Sequence, residues 1–557
     1  MSVKFLGLLG LVAILGTVGC SSSAPRATAP RSTASSWPVQ AGRPGPSLEA
    51  AIKSATALGR AGPDLQVDLN FNLKLRDPKG LAALLASGHT VSPAEYQARF
   101  GADPVLVGAA IAYLERAGLT ASWQPGSALI AAGGTAPAVD ALLGVEVDRY
   151  RLGDGSTFYA AAATPRFAGP IAAIATGVTG LDDYRRANNF AVKPGGLNAT
   201  DVLAFYNIKP LRDRHLDGTG QTILFPEIET IPKANIADLE KFATEFGLPP
   251  FSSVLTIKTN PNWGNPEKPG GEAVLDLEIA HEIAPQAKLV AYVAGPQFTF
   301  MDRAIDQMVT DKLGTIISES LGACEPGAPA SHRNTYASIQ DRANAQGMTH
   351  YVASGDSGAY TCGQEHDPTQ SFPATLPTVT AVGGTTVFES TNGTYFKEYA
   401  WGAAIDESGT GGGPSLIYPI PDYQQAVAQA DGHGMRQVPD VAADADPQTG
   451  FHIVFGGEDT QIGGTSAATP MWAGLTALIN QDLVSKKLRQ VGFANPAIYW
   501  MGANQTKFAS SPFHDVVAGN NLAFVATKGW DFTTGWGSPD ADALDAAWVT
   551  YIKSGGG

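Results

Sequence analysis

Ile462-Gly463-Gly464-Thr465-Ser466-Ala467-Ala468-Thr469-Pro470 runs into the apolar stretch Met471 to Ile479. Two glycines free the backbone, and the serine then opens a long apolar helix. A serine so placed sits at the positive end of the helix dipole, where a developing oxyanion is stabilised. A plain Ser N-cap gives the same local signal. The run Gly-Thr-Ser-Ala-x-x-Pro is more specific and points to Ser466 as a nucleophile. Such a hydroxyl needs a base. None of the nine histidines is followed by Gly-Thr, and His433-Gly434 continues as Met435, so the usual histidine motif is missing.

Carboxylates are the alternative base. In Gly270-Gly271-Glu272-Ala273-Val274-Leu275-Asp276-Leu277-Glu278-Ile279-Ala280-His281, Glu272 and Asp276 stand four apart and share one face of a helix. Two like charges one turn apart repel unless a proton is shared. A base and the group that orients it would be so arranged. A solvated acidic face is the ordinary explanation, but Leu275, Leu277, Ile279 and Ala280 place this helix in the interior. A third carboxylate, Asp356, follows a strand in Tyr351-Val352-Ala353-Ser354-Gly355-Asp356-Ser357-Gly358, where open α/β sheets carry their functional loops. Gly355-Asp356-Ser357-Gly358 also mimics a chymotrypsin-like nucleophile motif. It continues as Ala359-Tyr360, and no Ala-Ala-His-Cys segment exists, so Ser357 is set aside. Near the C-terminus Asp515 and Asp531 lie in Gly- and Asn-rich loops. These suit a hard cation, and equally ordinary Asp turns.

The elements that would position these residues fall into two units. A length of 557 residues suggests roughly two to four domains. With 44% hydrophobic and only 16% charged residues the chain can bury a large core, and a net charge of −15 argues against nucleic acid as a partner. Residues 1–20 read as an export signal: Lys4, the apolar stretch Phe5 to Leu15, then Thr17-Val18-Gly19-Cys20, which resembles a lipobox with Cys20 lipidated. An ordinary signal peptide with an incidental cysteine is the other reading. Residues 21–47 form a Pro/Ser/Ala-rich tether. Residues 48–185 carry an α+β pattern, with an alternating strand at Val67 to Leu75 and a helix start at Ser92-Pro93-Ala94-Glu95. Residues 186–557 alternate helices with short apolar strands at Thr222 to Pro226, Lys288 to Val293, Thr315 to Ser318, Thr349 to Ala353 and Thr378 to Val382. That pattern predicts a mainly parallel sheet. If Cys20 is lipidated, Cys324 and Cys362 remain as an even pair in an oxidising compartment, either bridged or as two buried thiols.

Taken together, Gly271-Glu272-x-x-Leu275-Asp276-x-Glu278, Ser354-Gly355-Asp356-Ser357-Gly358 and Gly464-Thr465-Ser466 resemble the motifs of the sedolisins, the serine-carboxyl peptidases, and especially their pseudomonalisin-like members. The resemblance runs from about Leu65 to the C-terminus. It implies an α/β subtilisin-like catalytic domain behind a ferredoxin-like activation prodomain that acts as inhibitor and chaperone. It implies Glu272 as general base and acid, Asp276 as its partner, Asp356 as a protonated oxyanion donor and Ser466 as nucleophile. Ser318, Ser320, Leu321 and Gly322 resemble the strand lining the substrate cleft, where Glu319 stands at a position commonly apolar or small in the family. Cys324 and Cys362 flank these segments as a disulfide pair does in such enzymes. Asp515 and Asp531 resemble the carboxylate ligands of one Ca²⁺, with the carbonyls of Val516, Thr527 and Gly529 completing the site. The expected protein is therefore an exported, self-processing monomeric endopeptidase acting on proteins or peptides at about pH 3 to 5, the range of carboxyl pKa values. Its processing junction is expected within Tyr184 to Asn198. Tripeptidyl-peptidase action and a non-catalytic surface lipoprotein keeping the fold are the alternatives.

Overall fold

The computed structural model describes residues 48–153, 155, 157–161, 163–184, 196–363, 367–390, 393–403 and 407–555. The export signal over 1–20, Cys20, the tether over 21–47 and most of the expected processing junction lie outside the described residues.

The N-terminal α+β unit is built on a four-stranded antiparallel sheet in the order Thr120–Ser122, Leu129–Thr135, Gln66–Leu73, Ala175–Thr179. Helices Pro104–Arg116 and Ala136–Leu143 fill the two crossovers, which makes the arrangement ferredoxin-like. Val67, Leu69, Phe71 and Leu73 alternate onto the helix-packed face and are buried. Ser92 caps the next helix as its sequence predicts, accepting the Glu95 N–H at 3.2 Å.

The polar face of Gln66–Leu73 is buried over its second half. Asn70 and Asn72 are buried because this face lies on helix Phe298–Asp311 of the second unit. Asn70 donates to Thr299 O and accepts from Arg303 Nε, both at 2.9 Å, and Arg303 also reaches Asp68 at 3.0 Å. Ser127 and the Ala128 N–H donate to Asp306 at 2.7 and 3.1 Å. Alternation in the sequence shows which face is apolar, but not that a polar face will find hydrogen-bonding partners.

The second unit carries an eight-stranded sheet. Its order is Tyr395–Ala400, Thr380–Glu389, Thr349–Ala353, Ile316–Glu319, Thr222–Glu227, Lys288–Val293, Leu255–Thr259, with Val441–Asp444 also paired to Thr380–Glu389. Every pairing is parallel except that of Tyr395–Ala400. The strand expected at Thr378 to Val382 runs instead to Glu389, because its second half forms an antiparallel hairpin with Tyr395–Ala400 and Thr385 Oγ1 donates to Glu398 at 2.7 Å. The edge strand Leu255–Thr259 escapes a hydrophobicity reading because it is largely exposed. Two buried helices, Glu272–Ile283 and Thr465–Ser485, cross the sheet and share its main core. No helix among the described residues is long and apolar enough to cross a membrane.

Candidate active site

Functional side chains gather at the carboxyl ends of the parallel strands, where open α/β sheets form their crevices. Thr222–Glu227 ends on Glu227, Ile316–Glu319 leads into Ser320, and Thr349–Ala353 leads into Asp356. Glycine is required at two entries. Gly271 has φ +106° immediately before Glu272, and Gly464 has φ +97° before Thr465 and Ser466. A Cβ at 464 would also lie 2.6 Å from Asp356 Oδ2.

Ser320 joins the two buried helices. Its hydroxyl lies 2.6 Å from Asp276 Oδ1 and 3.1 Å from the Ser466 carbonyl oxygen. That carbonyl is open to a side chain because its helical donor would be residue 470, and Pro470 has no N–H. The Ser466 hydroxyl donates to Ser320 O at 3.3 Å. Neither oxygen of the buried Glu272 carboxylate accepts a hydrogen bond. Burial holds Glu272 well above the ordinary carboxylate range, and the Asp276 charge adds to this, while the neighbouring Ser466 hydroxyl works in the opposite direction. The hydroxyl is thus beside the carboxylate but turned toward Ser320, an open arrangement common in unliganded sites. Burial likewise raises Asp276, with Ser320 opposing it and Glu229 reinforcing it. Asp356 Oδ1 accepts from Thr465 N and Oγ1 at 2.7 and 2.8 Å. Burial nonetheless outweighs these two donors and lifts Asp356 to about 6.

Sequence reasoning missed two further carboxylates. Glu227 is buried with Oε1 unpartnered, and its pKa is raised well above normal by burial, then by Asp276, Glu272 and Glu229. Glu229 accepts the Gly271 N–H at 3.1 Å and so fixes the start of the Glu272 helix. The available signal was a glutamate closing the otherwise apolar run Thr222-Ile223-Leu224-Phe225-Pro226.

The remaining expected residues fall as follows. Ser318 is buried with its hydroxyl unpartnered. Leu321 is buried, and Gly322 packs so closely on Ser371 that a Cβ would lie 2.3 Å from its Oγ. Glu319 turns inward, accepting from the Tyr336 hydroxyl, with its Oε2 3.0 Å from His350 Nε2. Cys324 and Cys362 form a disulfide with Cα atoms 5.0 Å apart. Asp515 and Asp531 hold the same loop: Asp515 accepts the Gly529 N–H at 3.0 Å, while Asp531 accepts from Thr527 N at 2.7 Å and from Thr533 and Thr534. Burial raises both carboxyls. This all-oxygen, anionic donor set, with Val516 buried beside it, fits the chemistry that a hard dication takes.

Comparison with known proteins identifies the family. A family model described as "Subtilase family" matches residues 259–537, and one described as "Pro-kumamolisin, activation domain" matches residues 53–184. Sedolisin of Pseudomonas sp. (strain 101) is 31% identical over 87% of this chain and 87% of its own. Kumamolisin of Bacillus sp. (strain MN-32) is 34% identical over 73% and 76%. Tripeptidyl-peptidase 1 of Canis lupus familiaris is 33% identical, but over only 36% and 38%. The solved structure of Pseudomonas sedolisin (serine-carboxyl proteinase), complexed with two molecules of pseudo-iodotyrostatin, aligns with a TM-score of 0.56 at 31% identity, covering 65% of this chain and 100% of that one. This chain belongs to the sedolisin family of serine-carboxyl peptidases, with an activation domain ahead of its subtilisin-like catalytic domain.

Proposed function

We propose that this peptidase is an exported, self-processing endopeptidase that works in acid through Ser466, Glu272, Asp276 and Asp356. The observation that carries the reading is the cluster of buried carboxylates with raised pKa values around the Ser466 hydroxyl. Ser466 Oγ attacks the scissile carbonyl carbon and its proton passes to Glu272. Protonated Asp356 donates to the resulting oxyanion. Collapse expels the amine, which takes the proton from Glu272, and leaves an acyl-Ser466. Water then repeats the sequence and releases the acid. Asp276, held by Ser320, is the positioning partner that keeps one proton shared with Glu272, and Glu227 supports the same pair from the neighbouring strand. Endopeptidase action is favoured because sedolisin and kumamolisin match over 87% and 73% of this chain, whereas the tripeptidyl-peptidase matches span 36% to 55% of it. Lipidation of Cys20 before processing belongs to the same proposal.

Processing follows from how the two units end. The prodomain is anchored through Asp183, which accepts the Tyr159 N–H at 2.7 Å, and through Tyr184, which packs on Phe158. The catalytic unit begins at Leu197, bonded to Gly450 O and to the His452 N–H, and at Asn198, which caps helix Ala199–Phe205. Scission is therefore expected between Tyr184 and Leu197. Mass spectrometry should show wild type losing its prodomain on acidification, while pure Ser466→Ala stays full length. A mutant that processes as fast as wild type would rule out self-cleavage.

Calcium completes the proposal. One Ca²⁺ held by Asp515, Asp531 and the carbonyls of Val516, Thr527 and Gly529 would neutralise two carboxylates and link the C-terminal loops to folding. Chelator should lower the Tm of wild type by several degrees and hardly move that of Asp531→Ala. Equal sensitivity in the two proteins would remove the site.

A further inference from the structure

Helix Lys233–Glu245 lies beside the hairpin formed by Phe451–Phe455 and Glu458–Ile462, and that hairpin leads directly into Gly463, Gly464 and Ser466. One face of the helix grips the hairpin turn. Asp238 accepts from the Gly456 and Gly457 N–H groups at 3.0 and 2.8 Å. Lys241 donates to Gly457 O at 3.1 Å and to Asp459 Oδ1 at 2.8 Å. Glu245 comes next on this face, at the four-residue spacing that brings side chains into line.

The contact of Glu245 with the hairpin is of another kind. His452 Nε2 is shut off from solvent and has no hydrogen-bond partner. It stands 3.9 Å from Glu245 Oε1 and 4.0 Å from Asp459 Oδ1. One ligand atom from each of the three residues lies within 4.8 Å of the others. The ring is fixed edge-on against Phe246, with centroids 5.4 Å apart. These gaps are too long for hydrogen bonds. They are somewhat wider than the roughly 3.4 Å between ligand atoms on a tetrahedral ion with bonds of about 2.1 Å, so a small rotation of the side chains brings the three onto one metal ion. Lys241 is the competing cation: it bonds the same Asp459 Oδ1 that faces His452, so a bound ion would displace it from that oxygen onto Gly457 O, and it leaves Glu245 and His452 without a hydrogen bond between them. Glu458 adds a further negative charge nearby.

We propose that Glu245, His452 and Asp459 bind a divalent cation of borderline softness, such as Zn²⁺, with water completing its coordination. The imidazole sets this site apart from the all-oxygen loop at Asp515 and Asp531, since nitrogen ligands favour Zn²⁺ over Ca²⁺. The ion would tie the helix to the hairpin that delivers the Ser466 loop, so its effect would be on the rigidity of that loop. It takes no part in the bond-breaking steps.

The test uses full-length Ser466→Ala, which cannot digest itself, at pH 7 with saturating Ca²⁺. Calorimetry with Zn²⁺ should find a site that weakens at least tenfold on His452→Gln and persists on Asp531→Ala. Co²⁺ as a probe should show visible absorption that His452→Gln abolishes. Zn²⁺ at 100-fold excess over its Kd should raise Tm by about 2 °C. Glu245→Gln, a change at a partly exposed position, gives the same readout should His452→Gln fold poorly. Absence of Zn²⁺ binding, or binding unchanged in both variants, would overturn the proposal.

Discussion

Glu272→Gln is expected to lower kcat by roughly 10²- to 10⁴-fold, the range for loss of a general base, with Ser466→Ala lower still. The glutamine has the shape of the glutamate but cannot take the Ser466 proton. The substitution should be gentle on the fold. Glu272 is buried, accepts no hydrogen bond and is already pushed toward its neutral form, so a neutral amide replaces a group that gains little from being charged. Because such a variant should not mature alone, it is processed with immobilised wild-type enzyme, which is then removed. Turnover of a chromogenic peptide at pH 4 within tenfold of wild type, with Tm unchanged, would exclude Glu272 as the base.

The difference between what was readable and what was not is physical. Ser466, Glu272, Asp276 and Asp356 stood out because the three short runs that carry them, each with an ordinary explanation alone, together resemble the motifs of one family, and the structure brings all four together. The α+β character of the N-terminal unit was readable from the alternation of Val67, Leu69 and Phe71 and from the Ser92 cap, whereas its ferredoxin-like arrangement was implied only by the family resemblance. Glu227 and Glu229 were not, because they reach Asp276 and Glu272 only once the end of strand Thr222–Glu227 packs against helix Glu272–Ile283, where Glu229 accepts the Gly271 N–H. Burial of Asn70 was hidden for the same reason, since its partners Thr299 and Arg303 belong to the other unit. Glu319 was visible as a departure from family habit, but its inward turn to Tyr336 and His350 required the fold.

A chain that cleaves peptides with a carboxylate base and a neutral aspartic acid donor should fail as the pH rises toward neutrality. Asp356 is raised by burial to about 6, so it is protonated and able to donate below that value and ionised above it, where it would repel the oxyanion. The acid limb belongs to the Glu272–Asp276 pair, whose first proton must leave before a base exists. The sign is the same for the fold. A carboxyl whose pKa is raised in the folded state adds stability that is fully present below its unfolded pKa and lost as the pH rises through its folded one. Asp356, at about 6, and Glu398, raised by burial to about 7, therefore lower Tm as the pH climbs from 4 to 7. The decisive measurement is kcat/KM of the mature enzyme from pH 2 to 8, for wild type and Asp356→Asn. The expected result is an acidic optimum with an alkaline limb near pH 6, a limb that Asp356→Asn flattens at some loss of rate because its side-chain amide stays neutral. A wild-type optimum at neutrality, or an alkaline limb that Asp356→Asn leaves in place, would contradict the carboxylate mechanism.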